Sequence, residues 1–231
     1  MSRRALDPPS LLSNPRCVTG HRQHVFMVLI RQIFHSKSIC LNLLVSVDCT
    51  TGQTSIPMID LKRLRSVVRD VPDFPKPGIL FKDITPVLLD PELFAMVTEA
   101  MATPFASAGV TRVVAIESRG FLFGAPIALR LGVGLVPVRK PGKLPSARQR
   151  VQYQLEYGTD ALEMHADAIG ARDRVLIVDD VLATGGTAEA AGRLIRTQGA
   201  RVAGFCFLIE LGFLSGRQRL DPERVEALLT Y

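Results

Sequence analysis

From Ile59 onward the spacing of hydrophobic positions changes every few residues, and each change marks a new element. Leu61, Leu64, Val67 and Val68 recur at helical intervals, which predicts a short amphipathic helix over Asp60–Asp70. Val71-Pro72-Asp73-Phe74-Pro75-Lys76-Pro77-Gly78 follows, and its prolines and glycine predict a turn-rich, extended loop. Asp90-Pro91 opens the next helix, with Asp as N-cap and Pro in the first helical position. Phe94, Val97 and Met101 carry it as far as Thr103-Pro104. Arg112–Ile116 is a β-branched run that predicts a strand, Gly120–Leu131 reads as a helix, and Gly134–Val138 as a second strand. Val151, Tyr153, Leu155 and Tyr157 alternate with polar residues, the pattern of a half-exposed strand or ribbon. Val175–Val178 is a wholly apolar strand, Thr187–Gln198 a helix and Val202–Leu211 a last apolar strand. Continuous apolar strands separated by helices require a parallel sheet covered on both faces, so the fold class is α/β.

The first 57 residues have a different texture and read as an extension, leaving 58–231 as the domain proper. Val25–Val47 is the one candidate membrane segment, but Arg31, His35, Lys37 and Asn42 interrupt it. Its longest apolar run, Val25–Ile30, is far short of the roughly 20 residues that a span needs. A cleaved signal fits poorly, because the apolar run begins late and no small-x-small site follows it. The Arg-rich, acid-poor start resembles a transit peptide only weakly. Met58 is a plausible true start, and no membrane partner is expected.

Composition narrows the class further. A chain of 231 residues, 47% hydrophobic and 22% charged, has the make-up of one soluble domain with an appendage. Four cysteines, at 17, 40, 49 and 206, form no CxxC pair, which excludes a disulfide scaffold and suits the reducing cytoplasm. No His/Cys spacing supplies a structural zinc site. The net charge of +6 is uneven: Arg3, Arg4, Arg16, Arg22, Arg31 and Lys37 face only Asp7 and Asp48 in the extension. The domain is nearly balanced, so any basic function must come from a few placed residues rather than a global field.

The most informative stretch runs Val175-Leu176-Ile177-Val178-Asp179-Asp180-Val181-Leu182-Ala183-Thr184-Gly185-Gly186-Thr187. A buried strand leads into two adjacent acids, a loop of small residues and a helix. In an open parallel sheet, ligands bind at the carboxyl ends of the strands. The unpaired N–H groups of a helix start carry about half a positive charge and attract phosphate. Gly185 and Gly186 let the backbone close around an anion, and Thr184 and Thr187 add hydroxyl donors. Paired acids beside a phosphate cradle make sense if the ligand is a sugar phosphate, since carboxylates accept bonds from vicinal hydroxyls and tolerate magnesium. A lone Gly-Gly would read as a tight strand–helix connection; the whole string reads as a binding site. A P-loop is excluded, because no GxxxxGK[ST] is present.

This string resembles the phosphoribosyl pyrophosphate (PRPP) signature of the type I phosphoribosyltransferase family. Phe74–Pro86 is similar to the N-terminal segment of the adenine-using members, and Glu117–Gly124 to their pyrophosphate loop. Arg139–Pro145 and Leu155–Gly158 are similar to the two ends of their flap. The matches cover about residues 60–231 in order. The resemblance implies a central, mostly parallel sheet flanked by helices, a small N-terminal hood and a mobile β-flap. It implies transfer from PRPP to adenine, giving AMP and pyrophosphate, with magnesium carried mainly by PRPP near Asp179 and Asp180.

The resemblance also implies roles. Asp179, Asp180, Ala183, Thr184, Gly185, Gly186 and Thr187 would bind PRPP or AMP. Ser118, Arg119, Arg139, Lys140 and Lys143 would hold pyrophosphate. Leu80, Phe81 and Lys82 would contact adenine. Lys82 stands where the family commonly has arginine, and lysine lacks that planar fork. Glu156, Arg119, Lys143 and Tyr157 would be catalytic, with Glu156 exchanging a proton with a purine nitrogen. Pro145–Tyr157 would cover an oxocarbenium-like transition state against water. A homodimer is implied, in which Arg139 serves either its own site or its neighbour's. Two other readings stay open: a related enzyme using a base such as xanthine, and a PRPP-sensing regulator binding DNA through the basic extension. No helix-turn-helix pattern occurs in residues 1–57, and no nucleic-acid partner is expected.

Overall fold

The computed structural model of the protein describes residues 59–155 and 158–231. The expectations for the extension, Glu156 and Tyr157 lie outside the described residues. Asp60 accepts the backbone N–H groups of Lys62 and Arg63 and so starts α1 (Leu61–Val67), which buries Leu64. The helix predicted to reach Asp70 stops sooner. Arg69–Pro72 (β1) pairs antiparallel with Leu80–Asp83 (β2), forming a two-stranded hood. Pro72 cannot sit inside a helix and biases Val71 to extended backbone, so the pairing wins.

After α2 (Thr85–Leu89), the Asp90 carboxylate accepts 3.1 Å bonds from the N–H groups of Glu92 and Leu93. It thereby caps α3 (Pro91–Ala102), as the sequence predicts. Then come β3 (Arg112–Ile116), α4 (Gly120–Leu131) and β4 (Gly134–Val138), all three with the expected bounds. A hairpin follows, β5 (Arg148–Leu155) against β6 (Gly158–His165). The ribbon expected within Pro145–Tyr157 thus finds its second strand beyond that range. Tyr153, Leu162 and Met164 bury themselves with Leu194, so the body of the hairpin belongs to the core.

The chain ends with β7 (Arg174–Leu182), α5 (Gly186–Thr197), β8 (Arg201–Glu210) and β9 (Val225–Thr230). β9 adds a strand after the one read as last. β7 also runs past Val178 to Leu182, so the acid pair sits in the strand, and the loop to α5 shrinks to Ala183–Gly185. Among the described residues, five strands form one sheet in the order β4-β3-β7-β8-β9, and every pairing in it is parallel.

Alternation along β7 splits the core between the two faces. Val175 and Ile177 pack with Phe205, Phe207, Leu194 and Ile195. Leu176 and Val178 pack with Val97, Phe123 and Ile127 on the other side. Burying side chains of this kind is worth ~1.5–3 kcal/mol each, and it holds the sheet between its helices. Because the strands are parallel, Ile116, Val138, Leu182 and Glu210 all end at one edge. The loops that follow them meet there. No helix among the described residues is long and apolar enough to cross a membrane.

Candidate active site

The loop Ala183–Gly185 enters α5 through Gly185 at φ 81°, and no side chain caps the helix start. Ala183–Thr187 and Asp179 line a cavity of about 90 Å³ in front of it, floored by Phe207. The helix start therefore has room for a phosphate group and no internal acceptor competing for its N–H groups. The loop is held from behind by backbone. A Cβ on Gly185 would overlap the carbonyl of Gly216, and one on Gly216 would overlap that of Ala183.

The acid pair is an electrostatic problem that the fold leaves unsolved. Asp179 Oδ1 accepts the N–H of Asp180 at 2.9 Å. Burial, and then repulsion from Asp180, push the Asp179 carboxyl well above the usual carboxylate range. Burial raises Asp180 as well, against the attraction of Arg119. Asp180 Oδ2 lies 2.8 Å from Nε of Arg119, yet this buried oxygen receives no hydrogen bond of good geometry. Two acids held this way gain from hydroxyl donors or a cation. Among the described residues no group of three His, Cys, Asp or Glu could hold a metal. Two hard oxygens with an unmet acceptor fit magnesium when most of its shell is substrate and water.

Arg119 ties this pair to the hood. Gly120 packs so closely on the end of β7 that a Cβ there would come 2.8 Å from the Val178 carbonyl and 2.9 Å from Asp179 Oδ1. Arg119, one residue earlier, reaches Asp180 and also lies 4.8 Å from the centre of the Phe81 ring. Phe81 meets Phe74 edge-on at 5.0 Å, and Leu80 beside it is half exposed. Phe81 thus forms an apolar wall next to Arg119, suited to a flat base, with the backbone of Leu80 adjoining it. Lys82 does not join them. The pleat sends its side chain to the other face, where it is 8% exposed, bonds Asp70 at 2.6 Å and sits 3.8 Å over the Tyr231 ring. Its expected side-chain contact with adenine is replaced by this structural pairing.

The basic loop after β4 is also engaged. Glu117 accepts from Lys143 Nζ at 2.5 Å, the Lys140 N–H at 2.9 Å and Arg139 at 3.2 Å. Burial would raise its carboxyl, but these donors outweigh burial and hold it at about 2. Lys140 bonds Asp160 and, at 2.9 Å, the Tyr153 hydroxyl. That hydroxyl accepts from Thr187 at 3.3 Å, which links the basic loop to the start of α5. Ser118 is exposed beside Arg119. The residues expected to hold pyrophosphate thus follow the ends of β3 and β4, and each of their cations is paired with a carboxylate. Sequence reading missed Tyr153 as a polar link and the Gly216–Leu220 segment as the loop's support. The glycine followed by alternating arginines at 216–219 is the signal that pointed to the latter.

Comparison with known proteins accords with this geometry. Residues 88–226 match the phosphoribosyl transferase domain family. The adenine phosphoribosyltransferase of Myxococcus xanthus is 61% identical over 168 residues, which span 73% of this chain and 91% of that protein. The crystal structure of adenine phosphoribosyltransferase from Thermoanaerobacter pseudethanolicus superposes with a TM-score of 0.73 at 50% identity, covering 74% of this chain and all of that one. The Saccharomyces cerevisiae enzyme, solved with an imino-altritol bisphosphate and adenine, gives 0.70 at 43% identity over 73% of this chain and 98% of its own.

Proposed function

This chain belongs to the adenine phosphoribosyltransferase family and transfers the 5-phosphoribosyl group of PRPP to adenine, giving AMP and pyrophosphate; we propose that it does so in the crevice between Phe81, Arg119 and the start of α5. The uncapped α5 start facing its small cavity, beside the half-satisfied acid pair, carries this reading. The 5′-phosphate sits before the amides of Gly185–Thr187, with the hydroxyls of Thr184 and Thr187 as further donors. The ribose hydroxyls donate to Asp179 and Asp180, stabilising the carboxylates that burial, and for Asp179 also its neighbour, disfavours. Adenine lies against the Phe81 ring, and the backbone at Leu80 offers the polar contacts that select the base.

Departure of pyrophosphate places negative charge beside Ser118, Arg119, Arg139, Lys140 and Lys143. Their partners Glu117 and Asp160 keep the cations preassembled until that charge develops. When bound, magnesium supplies positive charge against the same leaving group. Glu156 exchanges a proton with a purine nitrogen and Tyr157 packs by the ribose, roles that rest on the resemblance of Leu155–Gly158 to the family flap. Transfer is confined to 58–231, with 1–57 an extension. The apolar residues Leu122, Leu129 and Leu135, each at least 40% exposed on α4 and the edge strand β4, support a homodimer. The buried free thiol of Cys206 supports a cytoplasmic location.

Incubating the pure chain with PRPP, magnesium and one of adenine, hypoxanthine, guanine, xanthine or orotate tests the substrate. Adenine is expected to give the highest kcat/KM and AMP the only nucleotide above trace level. A preference for xanthine, or for any other base, would overturn the assignment of the Phe81 wall to adenine.

A further inference from the structure

The cations assigned to pyrophosphate each face a carboxylate: Arg119 has Asp180, Arg139 and Lys143 have Glu117, and Lys140 has Asp160. Arg219 is different. Its Nη1 comes within 3.7 Å of the position a Cβ on Gly186 would take, at the first residue of α5. Among the described residues the Arg219 side chain makes neither a hydrogen bond nor an ion pair, and it is exposed.

Its position is fixed by its neighbours. Gly216 packs backbone to backbone on Ala183 and Gly185, so the segment Gly216–Leu220 is seated on the phosphate loop itself. Arg217 holds Glu210 through two bonds, at 3.0 and 2.5 Å, and reaches the Val225 carbonyl at 2.7 Å. Leu220 is buried in the core. One arginine of the segment thus anchors it, and the other is left facing the helix start.

Charge arithmetic gives that second arginine a role. A phosphate monoester carries about −1.5 to −2 at neutral pH, whereas the helix start offers only about +0.5. Asp179 and Asp180 nearby add to the deficit. A guanidinium supplies the missing charge and matches phosphate oxygens in a fork. We propose that Arg219 binds the 5′-phosphate of PRPP and AMP, completing the cradle that the amides of α5 begin. This deepens the phosphoribosyl reading and rests on it.

Calorimetric titration of the full chain with ribose 5-phosphate tests it, together with steady-state kinetics. Arg219→Gln is expected to weaken ribose 5-phosphate binding about 10- to 100-fold, the loss of a charged hydrogen-bond pair. KM for PRPP should rise to match, while KM for adenine and the melting temperature stay put. Arg219→Lys should recover part of the affinity. Equal ribose 5-phosphate affinity in wild type and Arg219→Gln would overturn the proposal. So would a fall in melting temperature with both KM values raised, which is the mark of a merely structural residue. Failure of the wild-type chain itself to bind ribose 5-phosphate would instead remove the phosphoribosyl reading, and this inference with it.

Discussion

Gly185→Ala is expected to lower kcat/KM for PRPP by about 100-fold or more, since a misplacement of about 1 Å at a reacting site costs that much. Two effects combine. Gly185 sits at φ 81°, where a side chain is strained, and its Cβ would overlap the carbonyl of Gly216. The loop cannot yield backward, because Gly216 is itself pressed on Ala183. The start of α5 must therefore shift, and with it the amides that hold the phosphate. Gly132→Ala separates strain from overlap: Gly132 has φ 68° but open space around it, at the far end of α4. That variant should lose ~1–2 kcal/mol of stability and keep its kinetics. Steady-state assays with PRPP varied check both, and an unchanged Gly185→Ala enzyme would remove the loop from the site.

Asp179→Asn should move stability and activity in opposite directions. The folded-state carboxyl is raised above its ordinary value near 3.8 by burial and by Asp180. The folded chain thus holds a proton that the unfolded chain releases. The stability this proton contributes is fully present below pH 3.8 and is lost as the pH climbs through the raised value. At pH 7 the wild type carries that burden and the asparagine variant does not. The variant should melt higher at pH 7, with the gap closing toward pH 4. Its kcat/KM for PRPP should fall about 10- to 100-fold, because asparagine is a weaker acceptor for the ribose hydroxyls than a carboxylate. Melting curves across pH and PRPP-dependent rates check the two halves. A variant that melts lower and turns over normally would contradict both.

The parts of the fold that could be read in advance are those where one signal dominates. Arg112–Ile116 and Gly134–Val138 are continuous apolar strands between helices, and Asp90-Pro91 is a cap that needs no tertiary help. The parts that could not are decided by partners distant in sequence. Val225–Thr230 contains Glu226, Ala227, Leu228 and Leu229, good helix formers that become a strand because β8 offers a free edge. Arg69–Pro72 follows directly on a helical pattern and is taken by pairing with β2. The site divides in the same way. Asp179–Thr187 was legible because strand, acids, glycines and helix lie together in the chain. Lys82 was misread because its nearness in sequence to Phe81 hid the pleat that turns it toward Asp70 and Tyr231. Arg219 went unnoticed because only the fold carries it across the sheet edge to Gly186.

A crystal structure of the chain with AMP tests the central claim most directly. The phosphate oxygens are expected about 3 Å from the backbone nitrogens of Gly185–Thr187, with the ribose hydroxyls on Asp179 and Asp180 and the adenine ring against Phe81. AMP bound with its phosphate anywhere else, leaving those amides and both carboxylates untouched, would contradict it.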